Sequence, residues 1–82
     1  MNLQAEVKLY LDDKAKSLGY DDIISACTYA SAPNQWQGEA IRIVMWRSDV
    51  WERAFELEEL GQVPATAEAL RSDLATNVPL GF

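Results

Sequence analysis

The sequence predicts an all-α fold, a small bundle of three to four helices built around one long central helix. Apolar residues recur at spacings of three and four over most of the chain, which is the period of an α-helix. Helix start and stop signals frame each apolar segment, and no segment shows the strict alternation of a half-buried strand. With 82 residues, we expect a single helical domain spanning 1–82, since a chain of this length builds one core.

The first two helices are predicted from their ends. The first is expected over residues 3–18, with Asn2 as N-cap and Gly19 as the stop. The second is expected over 22–31, because the carboxylates of Asp21 and Asp22 suit the free N–H groups of a helix N-terminus. Pro33 ends it.

The long third helix is predicted over residues 35–60, and a short fourth helix over 66–74. Asn34 is the expected cap of the third helix and Gly61 its stop, while Thr66 is the expected cap of the fourth. Residues 75–82 contain proline and glycine and are predicted to form an extended C-terminal tail.

The third helix carries apolar residues on more than one side, and all three tryptophans lie at it. A helix of this kind has to be enclosed by other elements, of which a short chain has few. We expect Trp51 to anchor the core beside Phe55 and Val44, with the first two helices on that side. A second apolar row then remains, and it is either ordinary core or an interface with a partner. The predicted partner interface comprises Ile43, Trp46, Arg47, Val50, Leu57, Leu80 and Phe82.

The residues that usually carry catalysis or bind metals are scarce. There is no histidine, which removes the commonest general base and most zinc ligand sets. Cys27 shares a helix face with Ile23 and Ile24, as a small buried apolar side chain does. Glu52, Glu56 and Glu59 share another face, which favours a solvated acidic surface over a metal site. We therefore predict no catalytic, metal-binding or cofactor-binding residues and no enzyme activity.

The net charge and the hydropathy of the chain limit which classes of partner can be expected. The net charge is −6 and the seven Lys and Arg residues are scattered, so a nucleic acid is not expected as the partner. Arg42 and Arg47 interrupt the strongest apolar run, so no uninterrupted run reaches the ~20 residues that a membrane span requires. A membrane partner is therefore not expected. Residues 1–18 show no secretory signal. A single cysteine excludes an internal disulfide and fits a reducing compartment.

Four short motifs resemble a known family. They are Gly19-Tyr20-Asp21-Asp22-Ile23, the segment from Ser25-Ala26 to Tyr29-Ala30, Trp46-Arg47-Ser48-Asp49-Val50-Trp51, and Gly61-Gln62-Val63-Pro64-Ala65-Thr66. Together they are similar to a family of small tailed-bacteriophage proteins encoded among tail genes near the fibres. The match covers about residues 7–70 of the chain.

The resemblance implies a non-enzymatic component of the tail or fibre region. Such a protein is made in the host cytoplasm, resides in the virion and contacts tail or fibre proteins or further copies of itself. Two alternatives stay open: an assembly chaperone absent from the mature virion, and an acidic inhibitor of a host protein. The thirteen acidic residues are spread along the chain, which counts against the inhibitor.

Overall fold

Four helices and no strand are present in the computed structural model, which describes residues 1–82. They are α1 (Leu3–Ser17), α2 (Ile23–Thr28), α3 (Gln37–Glu59) and α4 (Ala67–Asn77). With 23 residues, α3 is about 35 Å long, and the longest extent of the molecule is 41 Å. The predicted all-α bundle around one long helix is confirmed.

Polar caps begin three of the four helices, as the sequence predicts. Asn2 Oδ1 accepts from the N–H of Ala5 at 3.0 Å, and Asp22 Oδ1 accepts from Ser25 at 2.7 Å. Thr66 Oγ1 accepts from the N–H of the third residue of α4 at 3.1 Å. Each contact satisfies a backbone donor that has no partner within its helix.

The predicted capping of α3 is wrong. Asn34 lies before the helix, where its Oδ1 accepts from the N–H of Trp36 at 2.8 Å and its Nδ2 donates to the carbonyls of Tyr29 and Ala32. The N-cap is Trp36, whose side chain makes no capping hydrogen bond. The side chain of Asn34 instead forms its hydrogen bonds within the turn that connects α2 to α3. Such local bonds compete with helix capping.

Two other boundaries differ from the prediction. α2 ends at Thr28, three residues early, and the chain continues in turns to Ser31. α4 extends three residues further, to Asn77. No glycine or proline lies between Pro64 and Pro79, so the helix continues until the approach to the second of these prolines.

All four helices contribute to one hydrophobic core. Its members are Val7, Leu11 and Ala15 of α1, Ile23 and Ala26 of α2, Ile43, Trp46, Val50, Ala54 and Leu57 of α3, and Leu70 and Leu74 of α4. The α3 members recur at three and four and so lie on one helix face. This face of α3 is therefore the one that the other helices cover.

A buried carboxylate joins α1 to the start of α2. Asp12 is only 7% exposed, and its Oδ1 accepts from the backbone N–H of Ile23 at 3.0 Å while its Oδ2 accepts from Lys8 Nζ at 2.9 Å. Burial alone raises the pKa of Asp12, but these two donors outweigh it, and the pKa lies below its ordinary 3.8. The charged form is thus the one that the fold favours.

Asp12→Ala is expected to destabilise the protein by about 1–3 kcal/mol, because a buried N–H loses its acceptor. Since the folded pKa lies below the unfolded one, this stabilisation is present above pH of about 4 and is lost as the pH falls through the folded pKa. Urea unfolding between neutral and acid pH should show the variant and wild type converging. Asp13→Ala, which removes only the exposed ion pair with Arg71, is the control and should cost under about 1 kcal/mol. Equal losses in the two variants would contradict the assignment.

A bidentate ion pair joins α4 to α3. Arg53 Nε and Nη2 donate to the two carboxylate oxygens of Asp73 at 3.0 and 2.9 Å. This guanidinium lowers the pKa of Asp73. On the other side of α4, Arg71 donates to Asp13 of α1 at 2.8 Å. The two pairs align α4 on both of its neighbours, a geometric role that planar guanidinium groups serve well.

Candidate functional site

The row predicted as a partner interface lies in the core of the monomer. Ile43, Val50 and Leu57 are at most 2% exposed, and Trp46 is 5% exposed. These side chains are therefore unavailable to a partner, and the prediction that association runs through them is wrong. The sequence left two interpretations open for this row, core or interface, and in the structure the row is part of the core.

The C-terminal segment covers Trp46, the residue that the sequence analysis expected a partner to cover. Trp46 Nε1 donates to the carbonyl of Val78 at 2.7 Å, so the indole is held by the residue that follows α4. Tyr10 of α1 covers another side, with its ring centre 5.9 Å from that of Trp46. Leu80 packs against the core from the same segment. A buried tryptophan needs such an N–H acceptor, which the tail provides within the chain.

The remaining predicted interface residues lie at the periphery. Phe82 is partly exposed, and the guanidinium of Arg42 lies 4.5 Å from its ring centre. Arg47 is half-buried, and its Nε is enclosed without a hydrogen-bond partner. Burial raises the pKa of the Cys27 thiol, and the positive charge of Arg47 opposes this shift only partly. Cys27 is therefore a neutral thiol at neutral pH.

The side of α3 expected to be core is exposed. Phe55 is 54% exposed, and Trp51 is partly buried with its ring centre 6.0 Å from that of Phe55. Trp51 packs against the edge of the core, whereas Phe55 and Val44 are exposed, so the prediction of a core anchored by these three residues is wrong for Phe55 and Val44. The physical reason is packing: the adjoining face, which the other elements cover, carries Ala40 and Ala54, both at most 1% exposed, and small side chains allow neighbouring elements to approach closely.

A second apolar row on α3 thus faces outward, and we call it the seam. It consists of Ile41, Val44, Ser48, Trp51 and Phe55. Its spacings of three, four, three and four place it on a single helix face. Ile41 is 44% exposed and Val44 is 39% exposed, and the exposed Met45 adjoins them. The sequence carried the signal for this row, since its period is as regular as that of the core row.

Two oppositely charged side chains flank the seam. Arg47 lies on one side of it and Glu52 on the other, five residues further along α3. Neither makes an ion pair or a side-chain hydrogen bond within the chain, whereas Lys8, Arg53 and Arg71 each do. The seam is therefore an apolar strip whose edges carry unpaired charge of both signs.

An exposed group of aromatic rings lies before the N-terminus of α3. Trp36 contacts Tyr29 with a centre-to-centre distance of 5.5 Å, and Tyr29 contacts Tyr20 at 5.6 Å. The hydroxyl of Tyr20 donates to Glu39 Oε1 at 3.3 Å. These edge and tilted contacts hold the turn after α2 in place, which is a sufficient structural role for them.

The acidic side chains and Cys27 are dispersed over the structure. No three His, Cys, Asp or Glu side chains are grouped so that they could hold a metal ion. The open cleft between α3 and the end of α4 is lined by Asp49, Glu52, Arg53, Glu56 and Asn77 and two tail residues. Its only cation, Arg53, is already bound to carboxylates. No helix of the chain has the length and apolarity needed to cross a membrane.

Comparison with protein-family models, curated proteins and solved structures finds no match to this chain. The resemblance to small phage tail proteins therefore stays an interpretation of the motifs. The structure gives two of those motifs a physical role. Gly19 and Gly61 follow α1 and α3 with φ of 98° and 67°, backbone angles that favour glycine and end a helix.

Proposed function

We propose that this protein is a non-enzymatic component of a bacteriophage tail or fibre region that acts through protein–protein contacts. The observation that carries the proposal is the seam, an apolar face that stays outside a monomer core already closed by the four helices and the tail. Single exposed apolar residues are normal on soluble proteins. A continuous apolar strip along one helix is typical of an interaction surface.

The context of a phage tail comes from the motif resemblance and not from the seam. Trp46, Arg47 and Trp51 of the tryptophan motif have different surroundings: Trp46 is core, Arg47 flanks the seam and Trp51 belongs to it. One motif thus supports both the fold and the contact surface. We place the protein in the virion, with tail or fibre proteins or its own copies as partners and no cofactor.

Two other functions are outcomes of the test. An assembly chaperone would use the same apolar face transiently and leave before the virion is complete. An acidic inhibitor would need a concentrated field of carboxylates, yet Asp12, Asp13, Asp73 and Glu56 are paired with cations of this chain. The inhibitor is therefore the weaker alternative.

Mass spectrometry of purified particles of the encoding phage is expected to detect the protein in tail fractions. Phe55→Glu should reduce its incorporation, because a charge would be buried in the contact. Leu9→Glu is the matched control, since Leu9 is 50% exposed on α1 and does not belong to the seam. Detection on unassembled tail proteins but not on particles would replace the proposal with the chaperone. Absence from both, or equal incorporation of the two variants, would also contradict it.

A further inference from the structure

The seam has the residue order of one strand of a two-stranded coiled coil. Ile41, Ser48 and Phe55 are seven residues apart and take one core position of the heptad, and Val44 and Trp51 take the other. In a coiled coil, the side chains at these two positions form the contact, and each one inserts into a space between four residues of the partner helix. Ile41 is the β-branched type common at the first position of parallel two-stranded coils, while Val44 and Trp51 take the second position, where such coils usually carry Leu.

The charges beside the seam select a second copy in parallel orientation. In a parallel pair, the residue before the first core position faces the residue five further along on the partner. Arg47 would therefore face Glu52 of the partner subunit, and twofold symmetry forms this pair twice. Both side chains lack a partner within the monomer. We propose that the occupant of the seam is a second copy of this chain, packed parallel along α3 in a symmetric dimer.

An antiparallel pair centred on the seam has worse electrostatics. It brings Arg47 close to Arg47 of the partner subunit and leaves Glu52 beside an apolar Met45. Like charges in such proximity oppose association. Charge complementarity thus distinguishes the two orientations of the same apolar surface.

The register of the dimer is set by the single polar residue of the seam. In the parallel pair, Ser48 faces Ser48 of the partner subunit, so one hydroxyl donates to the other. A slip by one heptad would place the hydroxyl against Ile41 or Phe55 and bury it without a partner, which is costly. One buried polar residue is a common device for specifying register in coiled coils.

The length of the seam limits how much surface a dimer can bury. The seam runs about 21 Å along the helix, a short contact beside the interfaces of about 1,200–2,000 Å² that stable complexes bury. We therefore expect a weak dimer that dissociates on dilution. The inference rests on the proposed function only in that a further copy of this chain is one of the partners proposed there for the seam.

Sedimentation equilibrium of the full chain from about 1 to about 500 µM should show a monomer–dimer equilibrium. Val44→Glu should raise Kd by at least about tenfold, while Leu9→Glu leaves it unchanged. Circular dichroism is the control for folding, and the spectra of both variants should match that of the wild type. A wild type that stays monomeric throughout, or a Val44→Glu chain that dimerises as well as wild type, would overturn the proposal.

Orientation is tested by charge exchange and by cross-linking. Glu52→Arg alone should weaken the dimer by about tenfold, and the double variant Arg47→Glu/Glu52→Arg should restore it, because only a parallel pair regains opposite charges. In a Cys27→Ser background, Ile41→Cys should form an intermolecular disulfide on oxidation, since Ile41 faces itself in the parallel pair. No rescue and no disulfide would overturn the parallel arrangement.

The two proposals fail in different ways. A monomeric chain that is nevertheless found in tail fractions would overturn the dimer and leave the proposed function standing. A dimer that is absent from particles would do the reverse.

Discussion

Trp46→Ala is expected to destabilise the monomer by about 3–5 kcal/mol, the usual cost of removing a buried aromatic side chain. Trp46 is 5% exposed and is contacted by α1 and by the carbonyl of Val78. Truncation leaves a cavity and also removes the donor to that carbonyl. A domain of this size has a total stability of only about 4–12 kcal/mol, so the variant should be substantially unfolded at elevated temperature.

Trp51→Ala is the matched control, since it removes the same side chain from the seam of the same helix. We expect a loss of about 1–2 kcal/mol, because Trp51 is only partly buried. Urea titration followed by circular dichroism at low protein concentration measures both values without a contribution from association. Equal losses, or a larger loss for Trp51→Ala, would show that the assignment of core and seam is reversed. Any assembly defect of Trp46→Ala should follow from unfolding and not from a lost contact.

Deletion of the tail after Asn77 is expected to destabilise the protein by about 2–4 kcal/mol. The shortened chain loses the acceptor for Trp46 Nε1 and the packing of Val78 and Leu80 against the core. The indole N–H then has to find water, and part of the ring becomes exposed. Thermal unfolding should show the loss as a lower Tm, by roughly 4–8 °C per kcal/mol for a domain of this size.

Phe82→Ala is the control for the tail deletion, because it removes only the last side chain and keeps Val78 and Leu80 in place over Trp46. Phe82 is 38% exposed and contacts Arg42 through its ring, a cation–π contact worth about 0.5–1 kcal/mol at an exposed site. Its removal should cost no more than that. A tail deletion that is no worse than Phe82→Ala would contradict the role of the segment as the cover of Trp46.

Helix positions could be predicted because their determinants are local. Asn2, Asp22 and Thr66 cap the helices they precede, since each side chain reaches an N–H only three residues away. Gly19 and Gly61 end helices because their positive φ angles disfavour other residues. Asn34 shows the limit of this reasoning, since two competing local hydrogen bonds decided its role.

Which of the two apolar faces of α3 is buried in the core could not be predicted from the sequence. The core row and the seam have equally regular spacing, so periodicity allows either face to be buried. The choice depends on which surface of α3 the other elements reach. That surface is defined by the small Ala54, by the Arg53–Asp73 pair to α4 and by the bond from Trp46 to Val78. The last two contacts join residues at least 20 apart in sequence.

The sequence by itself determined that this protein is helical, where its helices begin and end to within a few residues, and that α3 has two apolar faces. These properties follow from spacing and from contacts within one turn of helix. Only the tertiary structure decided which face is core, because that depends on distant segments meeting. The tail encloses Trp46, while Ile41, Val44 and Phe55 are left exposed on the other apolar face of α3.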